Sequence, residues 1–169
     1  FGVAEDHDSN PIKMGLGKIK ARGARVIGVN PVRTGYNAVA DDWVGITPGT
    51  DGLFILALVH CLMKAGKIDV EYLSQWTNAP GLVNEASGSA EEGLMLKDGD
   101  GKLLVIDKRD GKLVPFDTPG VKPDLTARYE AGGVTYRTAM HLMADRYLSD
   151  EYAPEAVADR CGIPAKRIR

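Results

Sequence analysis

Cysteine is nearly absent from this sequence. Cys61 and Cys161 are the only two, far apart and in no C-x-x-C or Cys/His spacing. That excludes a disulfide framework and the usual zinc patterns, and it predicts two buried free thiols. Long hydrophobic runs are also lacking. The longest, Leu53–Val59, continues into His60 and Cys61, far short of the roughly 20 residues that a membrane span needs. Charge of one sign is equally scarce, with 21 Lys and Arg against 23 Asp and Glu and a formal net charge of −2. No basic stripe or long like-charge run occurs, so neither nucleic acid nor a membrane surface is expected as a partner. The start, Phe1–His7, has no charged leader, apolar h-region, twin arginine or initiator Met, as expected of a processed or excised piece of a longer chain. What remains is a chain of 169 residues, 44% hydrophobic, able to hold one sizeable core because a domain this long buries roughly 70% of its unfolded surface. The 20 Gly and 9 Pro predict many tight turns.

The order of elements points to a wound α/β domain. Ser9 or Asn10 can cap a helix with Pro11 at its first position and Ile12, Leu16 and Ile19 on one face, stopped by Gly23. Ala24–Val29 then reads as a buried parallel strand ended by Asn30-Pro31, and Trp43–Ile46 as a short second strand. Pro48-Gly49-Thr50-Asp51 turns the chain into an apolar helix to Lys64, with Thr50 or Asp51 as N-cap. Asp69 opens another helix to Thr77; residues 79–95 read as loop; Leu103–Ile106 and Lys112–Phe116 read as a hairpin around Gly111. Val134–Leu148 reads as a helix, and Tyr152–Glu155 and Pro164 each open one more. The expected class is therefore α/β, a mainly parallel, Rossmann-like sheet with flanking helices, a small β-hairpin insertion and C-terminal helices. One domain over residues 1–169 is expected, divided into a core at 1–78, a loop and hairpin insertion at 79–126 and a helical part at 127–169.

Several motifs have bland explanations. Gly15-Leu16-Gly17 lies inside a helical pattern with Lys20 at the third glycine position, unlike a dinucleotide fingerprint. Asp98-Gly99-Asp100-Gly101 would put Arg109 where a calcium loop has its bidentate Glu, so it reads as a turn. His7 among Glu5, Asp6 and Asp8 reads as a solvated loop; His60 and His141 fall in helical patterns. No nucleophile has a base at a telling spacing, and neither a catalytic nor a metal-ligating residue is assigned. Two positions carry more. The turn at Pro48–Asp51 feeds a helix N-terminus, whose unpaired N–H groups suit anions or ligand carbonyls, and the Asp51 carboxylate can accept two adjacent donors such as the N1–H and amine of a guanine. Asn30 ends the apolar strand, where an amide or acid commonly reaches ribose hydroxyls. A helix cap and an Asn-Pro turn are the plain alternatives.

The run Gly23-Ala24-Arg25-Val26-Ile27-Gly28-Val29-Asn30-Pro31-Val32-Arg33-Thr34, followed by Ala38–Trp43 and Pro48-Gly49-Thr50-Asp51-Gly52, resembles the molybdopterin oxidoreductases of the dimethyl sulfoxide reductase family. Downstream, Ile68–Leu73, Tyr152–Glu155 and Cys161–Ala165 are similar to further family motifs in the same order. The resemblance implies a central α/β domain holding the guanosine diphosphate end of a molybdopterin guanine dinucleotide carrying molybdenum or tungsten. It places Asp51 on the guanine edge, Thr50, Gly49 and Pro48 around the base, and Asn30, Pro31 and Arg33 at the ribose and pyrophosphate. Asn10, in the opening loop, corresponds to further phosphate or pterin contacts. The family's usual Asp is Asn30 here and its next Arg is Val32, with Arg33 one position on. The metal ligand and a 4Fe–4S cluster belong to parts of the family upstream of this segment, so the fragment is expected to be inactive alone. Its expected partners are the remaining domains of a parent enzyme and an electron-transfer subunit. A cofactor-free structural version, as in the large iron–sulfur subunit of respiratory complex I, is the alternative.

Overall fold

The apolar run before Asn30-Pro31 forms a strand, β1 (Ile27–Val29), and it pairs in parallel with β2 (Asp42–Val44). The computed structural model describes residues 12–33 and 35–169, so Asn10, the His7 cluster and the Ser9, Asn10 and Pro11 helix start lie outside the described residues. The chain is α/β, as expected, and forms two compact units: Phe1–Leu62 with Ser149–Arg169, and Met63–Leu148. Among the described residues, parallel pairing is confined to β1 and β2.

In the first unit, α1 (Ile12–Ala21) precedes β1, and a 3-10 turn at Gly35–Ala38 lies between β1 and β2. Gly28 makes that turn possible, since a Cβ there would stand 2.2 Å from Asn37 Oδ1. Next comes α2 (Asp51–Lys64), with Asp51 in its first turn and Lys64 in its last, each favoured there by the helix dipole. The core joins Val29, Val44, Ile46, Phe54 and Ala57 to Val157, Cys161, Ile163 and Ile168 from the far end of the chain. Those last residues sit on α5 (Pro154–Cys161), α6 (Ala165–Ile168) and the link between them. Pro154 opens α5, and Gly162 at φ 67° closes it, with Gly162 N–H donating to Asp159 O and Ile163 N–H to Ala158 O. The two thiols differ from expectation: Cys161 is buried, but Cys61 is only half-buried.

The second unit begins with α3 (Val70–Trp76), capped by Asp69, whose carboxylate accepts from Tyr72 N–H at 2.9 Å. Residues 79–95 are not all loop, because β3 (Leu82–Asn84) is a fully buried strand. The hairpin of β4 (Leu104–Ile106) and β5 (Leu113–Pro115) forms where the sequence predicts it, with Gly111 at φ 71°. Val134–Leu148 is not a single helix. β6 (Arg128–Ala131) and β7 (Val134–Thr138) form a hairpin across Gly132-Gly133, both at positive φ, and β7 pairs antiparallel with β3. Thr138 switches the chain to α4 (Ala139–Tyr147): its hydroxyl accepts from His141 N–H and donates to Leu125 O. Asp98 holds an Asx turn, accepting from Asp100 and Lys102 N–H at 2.9 Å each, as the turn reading requires.

Candidate functional site

Parallel register brings the two sequence-predicted segments of the first unit to one edge. Ile27 faces Asp42 and Val29 faces Val44, so both strands end together, and Asn30 N–H extends the ladder to Val44 O at 3.2 Å. The carboxyl edge thus carries Asn30-Pro31 from β1 and the turn that follows β2. Wound α/β folds bind ligands at such edges.

Asn30 is held from three sides. Besides its ladder bond, its carbonyl accepts from Trp43 Nε1 at 3.1 Å and its Oδ1 accepts from Val32 N–H at 3.4 Å. Asn30 is 1% exposed, whereas Pro31, Val32 and Arg33 are exposed beyond it. The Arg33 guanidinium is therefore presented to solvent from a fixed anchor.

The second segment is a type II turn. Thr50 N–H donates to Thr47 O at 3.2 Å, Pro48 sits at the second position and Gly49 at the third with φ 81°. Thr50 Oγ1 also donates to Thr47 O at 2.7 Å, and Thr50 O accepts from Phe54 N–H at 3.0 Å as α2 begins. The chain's far end pins this turn: Thr47 N–H donates to Cys161 O at 2.9 Å, and Cys161 Sγ lies 3.9 Å from Thr50 O. Pro48 and Gly49 are exposed; Thr50 and Asp51 are half-buried. Asp51 belongs to the first turn of α2, the end of the helix whose leading N–H groups have no partner within the helix.

Neighbouring charges at the opposite, amino edge have structural partners. The Asp41 carboxylate accepts from Val26 N–H at 2.7 Å and Lys20 Nζ at 2.9 Å, and these bonds hold it below the usual carboxylate range. Asp42 is lowered likewise by the Arg167 guanidinium, 2.7 Å away. Both residues tie the sheet to α1 and α6 rather than facing the site.

Asn30, Pro31 and Arg33 thus follow β1, and Pro48, Gly49, Thr50 and Asp51 follow β2, at the same end of the strand pair. Two further residues escape the sequence reading as site positions. Trp43 fixes the Asn30 carbonyl, and buried Asn37 packs under Gly28. A signal for both exists in the glycines, since Gly28 and Gly45 stand where a Cβ would strike Asn37 and the Trp43 ring. Chemically the edge offers backbone donors, an exposed guanidinium and a carboxylate. It suits an anion joined to a group with paired donors.

No family model matches the chain. It is 40% identical over 180 aligned positions to a sulfite dehydrogenase subunit of Allochromatium vinosum, covering 100% of this chain and 18% of that protein. Identity to a putative dimethyl sulfoxide reductase catalytic subunit of Halobacterium salinarum is 31% over 156 positions, 88% of this chain and 18% of the relative. The nitrate-inducible formate dehydrogenase major subunit of Escherichia coli is 28% identical over 141 positions, 83% of this chain and 13% of the relative. The chain thus spans less than a fifth of these relatives' length.

Proposed function

The chain belongs to the molybdopterin oxidoreductase family, and from that membership we propose that its first unit holds the guanosine diphosphate end of a molybdopterin guanine dinucleotide in a larger oxidoreductase. The observation that carries the reading is the shared carboxyl edge, where β1 delivers Asn30, Pro31 and Arg33 and the type II turn delivers Pro48, Gly49, Thr50 and Asp51. The donor set fits the group. Asp51 accepts the two adjacent N–H donors of guanine, and Pro48, Gly49 and Thr50 frame the base. Arg33 and the first N–H groups of α2 face the pyrophosphate. Asn30 and Pro31 shape the ribose pocket, with Asn10 assigned by resemblance to the same cofactor. When bound, the cofactor supplies a molybdenum or tungsten redox centre; the residues of this chain bind and orient its nucleotide end. The metal ligand, any 4Fe–4S cluster and the electron-transfer partner belong to the rest of the parent protein, and this segment has no turnover alone.

One observation favours a cofactor-free structural domain: Asn30 replaces an acid and its Oδ1 faces its own Val32 N–H. A titration separates the two readings. Guanosine diphosphate should bind in preference to adenosine diphosphate, and Asp51→Ala should abolish the preference. Loss of two hydrogen bonds to a charged group, about 1.5–3 kcal/mol each, predicts a drop of at least about a hundredfold for guanosine diphosphate alone. Equal binding of the two nucleotides to the wild-type chain, with no guanine nucleotide, molybdenum or tungsten in the parent protein, would refute the assignment.

A further inference from the structure

Asn30 spends its side-chain oxygen on its own chain. Oδ1 accepts from Val32 N–H at 3.4 Å, two residues on, the Asx turn to which asparagine is suited. The backbone of the same residue is occupied on both sides, its N–H on Val44 O at 3.2 Å and its carbonyl on Trp43 Nε1 at 3.1 Å. At 1% exposure, almost none of its surface is open to a molecule lying on the edge. A group that hydrogen-bonds a ribose hydroxyl must bring an oxygen or nitrogen within about 3 Å of it. A side chain this enclosed does so only by giving up its place in the turn.

The residues that follow have the opposite character. Pro31, Val32 and Arg33 are exposed, and the Arg33 guanidinium has no ion-pair or hydrogen-bond partner among the described residues. The Pro31 ring fixes φ at about −65°, and the Asx turn fixes the next peptide by holding Val32 N–H. Together these two constraints set the direction in which the chain leaves β1. Arg33 is the first cation on that path. A segment tied in this way before a ligand arrives gives up less conformational freedom on binding than a loose one.

We infer that Asn30 is a positioning residue and not a ligand of the ribose: it acts on the nucleotide through Arg33, by holding the turn that aims the guanidinium at the pyrophosphate. The inference rests on the nucleotide reading above and divides the work along Asn30–Arg33, one end anchoring and the other meeting the anion. The anchor needs only an acceptor oxygen. A neutral amide therefore suffices at a position where the family motif that this segment resembles has an acid.

Nucleotide titrations of the intact parent protein, prepared free of its cofactor, test it. Asn30→Asp keeps the acceptor and should bind guanosine diphosphate within about threefold of wild type. Asn30→Ala removes it and should cost about three- to tenfold, the worth of one neutral hydrogen bond. Arg33→Gln should cost about tenfold or more, and adding Asn30→Ala to it less than a further twofold, because the turn then has no cation to aim. The ratios of affinity between guanosine diphosphate and its 2′-deoxy and 3′-deoxy analogues should be the same in wild type, Asn30→Asp and Asn30→Ala. Where Asn30→Ala does not fold, Asn30→Asp decides: a ribose ligand changed from amide to carboxylate alters the deoxy ratios, and a turn residue leaves them alone. Altered ratios, losses at Asn30 and Arg33 that multiply, or full affinity in Asn30→Ala would overturn the inference while a preference for guanosine over adenosine diphosphate stands. Absence of that preference in the wild-type protein refutes the nucleotide reading itself, and this inference with it.

Discussion

Replacing Gly28 by alanine should damage the candidate site from beneath while touching none of the residues proposed to bind the nucleotide. The new Cβ would lie 2.2 Å from Asn37 Oδ1, 3.1 Å from its Cγ and 3.3 Å from Ala40 Cβ. Asn37 is 0% exposed, so the amide cannot swing into solvent and something must shift by about 1 Å to reach ordinary contact. Overpacking of this kind costs about 1–3 kcal/mol. With a urea dependence near 1–2 kcal/mol per molar, a 2 kcal/mol loss lowers the unfolding midpoint by about 1–2 M. Trp43 is a local reporter, since it faces Gly28 in register and donates to Asn30 O. In a Trp76→Phe background it is the only indole of the 2 in the chain. Gly52→Ala serves as the opposite control: Gly52 lies within α2 with nothing near its would-be Cβ, and the exchange should stabilise by about 0.5 kcal/mol. Adding Asn37→Ala to Gly28→Ala should recover part of the lost stability. An unchanged midpoint for Gly28→Ala, or the same shift with and without Asn37, would refute the packing argument.

Three other outcomes follow from the same structure. Ile163→Ala, at a position 2% exposed in the first unit's core, should cost about 2–5 kcal/mol, read as an earlier loss of Trp43 fluorescence. Arg137 donates to both Glu85 oxygens at 2.7 and 2.6 Å and also pairs with Asp145, so Arg137→Met should cost about 1.5–3 kcal/mol at neutral pH, measured by urea unfolding. The Arg137 guanidinium holds the Glu85 carboxyl below its ordinary 4.5, so that stabilisation is complete above 4.5 and is lost as pH falls through the lowered value. The gap between wild type and Arg137→Met should therefore close below pH 4.5, and a gap that stays constant in acid would refute it.

Local chemistry makes much of the first unit readable. A β-branched run ended by Asn-Pro, a Pro-Gly turn and an apolar helix beginning at Asp51 each carry their own signal, and the shared edge follows from their order. The second unit is harder. Tyr136, Met140, Met143 and Tyr147 fit a helical period that runs through Val134–Thr138 and masks the strand there, although Gly132-Gly133 before it is a hairpin signal. Leu82–Asn84 is too short and too flanked by glycine to show a strand pattern of its own. The contribution of Val157, Cys161, Ile163 and Ile168 to the core beside Phe54 has no local signature at all, because contacts between such distant positions leave no trace in either neighbourhood. Trp43 reads as part of a strand, but its hold on Asn30 depends on register, which only the folded pair sets.

The interleaving of the two units bears on how the protein is made. Met63–Leu148 is a continuous stretch, inserted between the parts that build the first unit. During synthesis that stretch can complete its sheet as soon as it clears the ribosome. The edge bearing Asn30 and Asp51 must wait for Ile168, at 5–20 residues per second a delay of roughly 5–20 s after Leu62 is added. Through that interval the apolar faces of Phe54 and Ala57 have no cover from the chain's own end. Until α5 and α6 return, the Thr47–Asp51 turn also lacks its Cys161 anchor, so the shape of the candidate site is among the last things the chain acquires.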